Sequence, residues 1–477
     1  MDSELEHIIG HGPVHFIGIG GISMSGLAQI LLHRGIAVTG SDWLESRAVD
    51  HLRILGAAIC VPHSASIITG QTLVVHTAAI PADNPEMVEA RRLGIPIMDR
   101  ARFLGNLAEG YGNTVAVSGT HGKTTSTGMI ATVMMTADLN PTIHIGGMLA
   151  SIGGNTRFGG TGLFVMEACE YKNSFLQFHP NHALILNIEA DHLDFFRDLD
   201  DVLAAFAQYS RNVPLSGTLV LNLDDAGCRT LASRLDRTYT GFQLTAPDSG
   251  DGIRTAAGGP VYHAANLAYD HGYARFDACL ADKCLARIVL AVPGRHNASN
   301  ALGCFALCHQ AGLGPDLIAD GLARFTGTGR RFEYRGETGG VDIIDDYAHH
   351  PTEIAATLDT AAFMTKGRII CVFQPHTYTR TRELFKDFVE VLGKADEAIL
   401  LDIYAAREPD LGLVHARDLV ESILKTGRHA AYASSFAEAA DMVRKLANPG
   451  DLVITMGAGD VGRVADLLLH PSPAQPR

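Results

Sequence analysis

The sequence predicts an α/β protein made of three successive units, each a mainly parallel sheet with crossover helices. Short apolar runs such as Val14-His15-Phe16-Ile17 and Thr114-Val115-Ala116-Val117 recur, each followed by a glycine turn and a helix-like stretch; that is the rhythm of a parallel sheet. Glycine supplies 50 of 477 residues, enough for many strand-to-helix turns. The length itself exceeds what a single hydrophobic core holds, so the chain must divide.

The first unit, 1–110, opens with the strand Val14 to Ile17, a glycine turn and a helix over Ser25 to His33. Strands at Ala37 to Thr39 and Leu73 to Val75 and a helix over Pro85 to Leu93 continue it, until "EGYGN" breaks the pattern. The second, 111–325, holds strands at Thr114 to Val117, Leu163 to Met166 and Ala183 to Asn187 and a helix around Asp200 to Tyr209. Its Gly/Ala/Asp-rich stretch 247–259 reads as a turn or mobile loop. The third, 326–477, alternates strands at Val341 to Ile344, Arg368 to Phe373, Ala398 to Asp402 and Leu452 to Met456 with helices, and ends in a Pro-rich tail expected to be disordered.

A formal charge of −14 leaves no basic footprint for nucleic acid, so any anionic ligand must be met by locally gathered donors. No apolar run is long enough to span a bilayer and the N-terminus has no leader pattern, so a cytoplasmic location is expected. The eight cysteines include no C-x-x-C pair. They read as reduced, mostly buried thiols and not as zinc ligands or disulfides.

Two glycine loops follow strands. "GIGGISMSG", Gly18 to Gly26, can offer backbone N–H groups and a helix N-terminus to a diphosphate. It has Ser23 where a dinucleotide fingerprint needs its third glycine, so a cofactor site and a plain tight turn both stay open. Asp42 ends the next strand. The second loop, Gly119-Thr120-His121-Gly122-Lys123-Thr124-Thr125, is a shortened phosphate-binding loop, with Val117 where the common P-loop has its first glycine. Its small residues let amides wrap phosphate oxygens, the Lys123 ammonium can span β- and γ-phosphates, and the Thr124 hydroxyl can ligate magnesium.

Carboxylates and amides follow at strand ends, where α/β sheets place ligands. Glu167 closes one strand as a hard oxygen donor for a metal, with Glu170 close behind, and His192 lies among Glu189, Asp191 and Asp194 in "NIEADHLD". Asn297 and Asn300, one helical turn apart in "GRHNASNA", can present amides to an adenine edge or cap a helix. Arg330 and Arg331 open the third unit, where a cation can reach a γ-phosphate on domain closure. "DDYAHHPTE" reads as a ligand loop or as an Asx-type turn stopped by Pro351. A GTPase switch needs an [NT]-K-x-D motif, which the chain lacks.

Taken in order, "GIGG", "GTHGKTT", "NIEADHLD", "GRHN", "DDYAHHPTEI", "FQPHTYTRT" and "TMGAGD" resemble the Mur ligases, ATP-dependent amide-forming enzymes of peptidoglycan precursor synthesis. Within that family they most resemble the branch that joins L-alanine to UDP-N-acetylmuramate; a branch that attaches a whole tripeptide is the alternative. The resemblance implies a Rossmann-like UDP-sugar domain (1–110), a central P-loop-type ATPase domain (111–325) and a Rossmann-like domain (326–477) that closes over ATP and brings the amino acid, in a monomer or homodimer. It implies UDP-sugar contacts from Gly20, Gly21, Ser23, Asp42, His63 and Thr77. ATP would meet the loop Gly119 to Thr125, Asn297, Asn300, Arg331, Asp346 and His349. Magnesium would be held by Thr124, Glu167 and His192, catalysis would rest on Lys123, Glu167, His192 and Arg331, and His376 and Arg380 would meet the amino-acid carboxylate.

Departures from the family pattern are visible. "EACEYKNSFL" stands where many relatives have "EADESD", Thr377 fills a place often held by arginine, and Pro62 replaces a common glycine. Several Mur ligases also carry, beyond the histidine matching His192, a lysine that is carbamylated to support a second magnesium. Here that count lands on Ala207, and no lysine occurs between Lys172 and Lys283.

Overall fold

The computed structural model describes residues 4–245, 255, 257–406 and 408–470. The loop expected over 247–259 therefore lies mostly outside the described residues, as does the tail beyond His470. Three sheets follow one another along the chain. The first is wholly parallel, in the order Ala58–Cys60, Val38–Ser41, Val14–Ile17, Leu73–His76, Ile97–Asp99. Chain order reverses at Val14–Ile17, so the crevice at its carboxyl end is the place for a ligand. The glycine loop leaves from there.

The second sheet has ten strands. Its parallel centre places Asn113–Ser118 between His182–Ile185 and Leu163–Glu167, and the shortened phosphate loop follows Asn113–Ser118 directly. The helix that leaves the loop, Lys123–Thr136, is buried from Thr124 through Met134, packed between the sheet and the helices Arg295–Gln310 and Pro315–Arg324. Gly321 permits the approach, since a Cβ there would lie 2.6 Å from Cα of Val133. Burial on every side fixes the loop's position against a rigid element.

The third sheet runs Glu333–Thr338, Val341–Asp346, Leu452–Met456, Ile369–Phe373, Glu397–Leu400, Ala430–Tyr432, with only its first strand antiparallel. Apolar clusters fill both faces. Its fully buried inner strands read as continuous apolar runs for that reason.

Two findings depart from the sequence reading. The second sheet carries an antiparallel meander, Val261–Asp270, Tyr273–Leu280 and Lys283–Pro293, that no strand was assigned to. This hairpin pairs Cys279 with Cys284 across the ladder, and the two form a disulfide. The expectation of reduced thiols is corrected for this pair; the other six cysteines are free. Among the described residues no helix is long and apolar enough to cross a membrane.

Candidate active site

The phosphate loop turns on two glycines in the left-handed region, Gly119 (φ 135°) and Gly122 (φ 81°). A side chain at Gly119 would press on the Asn187 amide and at Gly122 on the Asn300 side chain, at 3.1 Å each, so both conformation and space demand glycine. Asn187 clamps the loop from the neighbouring strand end: its Oδ1 accepts from the His121 N–H at 2.7 Å and its Nδ2 donates to the His121 carbonyl at 3.2 Å. The strand expected to reach Asn187 ends at Ile185, and the Asn187 carbonyl accepts from the Thr120 N–H of the loop at 3.0 Å.

Lys123 Nζ donates to the Gly119 and Thr120 carbonyls and to the Glu170 carboxylate at 2.9 Å. Burial pushes the ammonium toward neutrality, but the Glu170 charge outweighs it and holds the proton. Glu170, 2% exposed, also lies 3.9 Å from His192 Nε2. Glu167 accepts from the Gly146 N–H at 2.6 Å, and a Cβ on the next residue, Gly147, would meet Thr124 at 2.9 Å. Thr124 and Glu167 thus flank one glycine pair, and His192 approaches from the side of Glu170.

A cavity between the second and third sheets is lined by His121, Gly122 and Thr125 of the loop, by Asn297 and Asn300, and by Arg331 and Asp346. Asn297 already donates to the Pro293 carbonyl at 2.7 Å. Asp346 accepts from the amides of Phe332 and Ala348 at 2.7 and 2.6 Å; burial raises it to about 6. His349 does not line this cavity. Its ring stands 5.5 Å from His376, and burial lowers it to about 3, leaving it neutral.

The two arginines that open the third unit separate. Arg330 Nε donates to the buried Asp345 carboxylate at 2.9 Å and its Nη2 to the Gly457 carbonyl at 2.7 Å. Arg331 instead lines the cavity, 4.9 Å over the Tyr347 ring and 3.8 Å from Glu353. One locks the sheet and the other faces the ligand space.

A small second pocket joins Asp191 and His192 to Thr377, Thr379 and Arg380. Arg380 grips Asp191 through Nη2 and Nε at 2.8 and 3.3 Å, and burial raises Asp191 while the His192 and Arg380 charges bring it well below the usual carboxylate range. His376 lies 3.2 Å from Arg380 Nη1; burial and that guanidinium lower it to about 4.

The six residues predicted for the UDP-sugar, Gly20, Gly21, Ser23, Asp42, His63 and Thr77, line one further pocket. Asp42 accepts from the Gly20 N–H at 2.8 Å and so fixes the loop. Ser23 Oγ bridges Arg100 at 3.0 Å and His144 at 2.9 Å. Gly26 is the position of close packing, where a Cβ would strike Thr156 and His144. Trp43, 68% exposed, stands at the pocket with its ring 4.9 Å from His63.

Sequence reasoning missed the support beneath His63. Glu86, fully buried, accepts from Ser41 Oγ at 2.6 Å and from the Ser64 N–H at 2.8 Å and meets His15 Nε2 at 3.0 Å. Ser41 in turn holds His63 Nδ1 at 2.7 Å. Burial raises the Glu86 carboxyl, yet these bonds leave it below its ordinary value. Its contribution to stability is therefore complete above the ordinary carboxylate range and lost as pH falls through the lowered folded value. Glu86→Gln is expected to cost about 2–3 kcal/mol and to weaken UDP-sugar binding; denaturant melts and titration calorimetry check both, and an unchanged dissociation constant would contradict the support role.

Comparison with known proteins places these features. The Mur ligase family catalytic domain matches residues 13–111, the Mur ligase middle domain 117–308, and the Mur ligase glutamate ligase domain 330–459. The UDP-N-acetylmuramate–L-alanine ligase of Acetivibrio thermocellus is 46% identical over 457 residues, covering 96% of this chain and 95% of its own. That of Clostridium acetobutylicum is 45% identical over 96% and 97%. Among solved structures, UDP-N-acetylmuramate-alanine ligase from Thermotoga maritima superposes with a TM-score of 0.79 at 29% identity over 96% and 98% of the chains. A murein peptide ligase from Psychrobacter arcticus shares the fold at 22% identity, TM-score 0.70, over 96% and 98%. With all three domain profiles in order along one chain, and relatives this similar over nearly all of it, the protein belongs to the Mur ligase family.

Proposed function

We propose that the protein joins L-alanine to UDP-N-acetylmuramate at the expense of ATP, with residues 1–110 holding the UDP-sugar, 111–325 the ATP and 326–477 closing over both with the amino acid. The observation that carries this reading is the turn at Asp191 and His192. His192 faces Glu170 beside Lys123 of the phosphate loop, and Asp191 faces Arg380 of the third unit. Phosphoryl chemistry and a carboxylate-binding arginine therefore meet within two adjacent residues.

The chemistry follows from what each substrate lacks. A muramyl carboxylate is a poor electrophile, so its oxygen attacks the γ-phosphorus of ATP, giving an acyl phosphate and ADP. The alanine amine then attacks the carbonyl carbon and phosphate leaves. Lys123 and Arg331 neutralise charge on the transferring group, and orientation supplies most of the rest. The relatives that share nearly half of their residues with this chain are L-alanine ligases, which favours a single small amino acid over a tripeptide.

The Thr124 hydroxyl and the Glu167 carboxylate offer the oxygen donors that magnesium prefers, and His192 would complete the set from the side of Glu170. When bound, it neutralises phosphate charge. Since positions 173–282 contain no lysine and arginine stays protonated near neutral pH, the stretch beyond His192 supplies no carbamylated side chain to the metal. Turnover is expected to be equal in degassed, bicarbonate-free buffer and after bicarbonate is added; a several-fold recovery on addition would refute this.

Hydroxylamine tests the intermediate. In place of L-alanine it should yield the UDP-linked hydroxamate with matching ADP release. ADP release without hydroxamate would argue against an acyl phosphate.

A further inference from the structure

At the edge of the cavity that His121 and Glu189 help to line, between the phosphate loop and the third sheet, two histidines and a glutamate come together. One ligand atom each from His121, Glu189 and His350 lie within 4.8 Å of one another. His121 belongs to the loop and Glu189 follows the neighbouring strand, whereas His350 caps the helix Pro351–Met364 of the third unit. His121 Nε2 is 3.5 Å from Glu189 Oε2, and His350 Nδ1 is 3.9 Å from the same oxygen. His350 is only 6% exposed and its Nε2 is buried without a hydrogen-bond partner, whereas His121 stands between two carboxylates, its Nδ1 also lying 3.1 Å from Glu353.

A tetrahedral ion with bonds of about 2.0–2.1 Å sets its ligand atoms about 3.3–3.4 Å apart, so the His121–Glu189 pair needs almost no adjustment. Two imidazoles and one carboxylate suit zinc, cobalt or nickel better than magnesium, which prefers six oxygens. The buried, unpartnered Nε2 of His350 also carries a desolvation cost that a metal bond would relieve.

We propose that His121, Glu189 and His350 form a second, inhibitory divalent transition-metal site, distinct from the magnesium site, that staples the third unit to the phosphate loop. The contact is already outlined by Thr352 Oγ1, which donates to Glu189 Oε2 at 2.7 Å across the same interface. An ion there holds His121 out of reach of an incoming nucleotide. It also opposes the reopening that product release requires.

Cobalt titration of the full-length, nucleotide-free protein tests the site directly, and does so independently of the substrate reading. One equivalent should bind with the intense visible bands of four-coordinate cobalt. His350→Asn keeps a side-chain acceptor for the helix cap but removes the imidazole; it should bind cobalt at least about tenfold more weakly and lose those bands. Thr352→Val, which removes no ligand, should keep them. Zinc should inhibit phosphate release reversibly on chelation, and the concentration needed should rise by a similar factor in His350→Asn. Thermal melts without metal establish that each variant is folded. The same cobalt affinity and spectrum in His350→Asn as in the unaltered protein, or weak octahedral bands in the latter, overturns the proposal. Equal zinc inhibition of both also overturns it.

Discussion

Lys123→Ala is expected to lower phosphate release dependent on UDP-N-acetylmuramate and L-alanine by about 10³-fold or more, with UDP-sugar binding nearly intact. The ammonium is the one lysine charge held inside the phosphate loop, gripped by two loop carbonyls, while the glycine pocket lined by Gly20 and Asp42 is a separate cavity. The variant also strands the buried Glu170 carboxylate, which costs about 3 kcal/mol. Lys123→Ala combined with Glu170→Gln should recover much of that stability and none of the activity. Stopped-time phosphate assays with calorimetry of UDP-N-acetylmuramate check the pair of effects. A variant that lost UDP-sugar binding but kept turnover would reverse the domain assignment.

Arg331→Ala is expected to lose turnover by about 10³-fold while folding normally, because its guanidinium faces the cavity and its ion pair with Glu353 is long, 3.8 Å. Arg330→Ala should do the opposite. It breaks the bond to the buried Asp345 and the one to the Gly457 carbonyl, costing about 2–3 kcal/mol once its partial exposure is counted. Steady-state kinetics and denaturant melts on both variants separate the roles. A melt shift confined to Arg331→Ala, with activity lost only in Arg330→Ala, would interchange them.

The parallel sheets were legible because their signal is local: an apolar run, a glycine turn and a helix start lie within a few residues of each other. Val14–Ile17, Pro85–Leu93 and Leu452–Met456 end where the sequence places them. The antiparallel meander was not legible. Its first strand, Val261–Asp270, shows no alternation of buried and exposed residues, and its run "AANLAYD" carries no period of two to mark it as a strand. With the hairpin unseen, the facing of Cys279 and Cys284 was unseen too.

The same rule divides the site. The phosphate loop is one contiguous stretch whose glycines, lysine and threonine announce their chemistry. Glu170, Glu86 and Asp191 act through partners 47, 71 and 189 residues away, and no spacing rule reaches so far. Arg330 and Arg331 are neighbours in sequence and differ only in which way the backbone turns them; Arg330 has φ of 57°. Trp43, the single tryptophan, lies far from the glycine loop in sequence, and only the fold brings it, exposed, to the same pocket.

Substrate choice is the claim on which the whole reading turns, and phosphate release with UDP-N-acetylmuramate and ATP against a panel of acceptors measures it. L-Alanine should give the highest kcat/KM, the larger and acidic amino acids should give little, and the L-alanyl-γ-D-glutamyl-meso-diaminopimelate tripeptide should give almost none. Preference for the tripeptide over L-alanine would contradict the account and assign the protein to the recycling branch of the family.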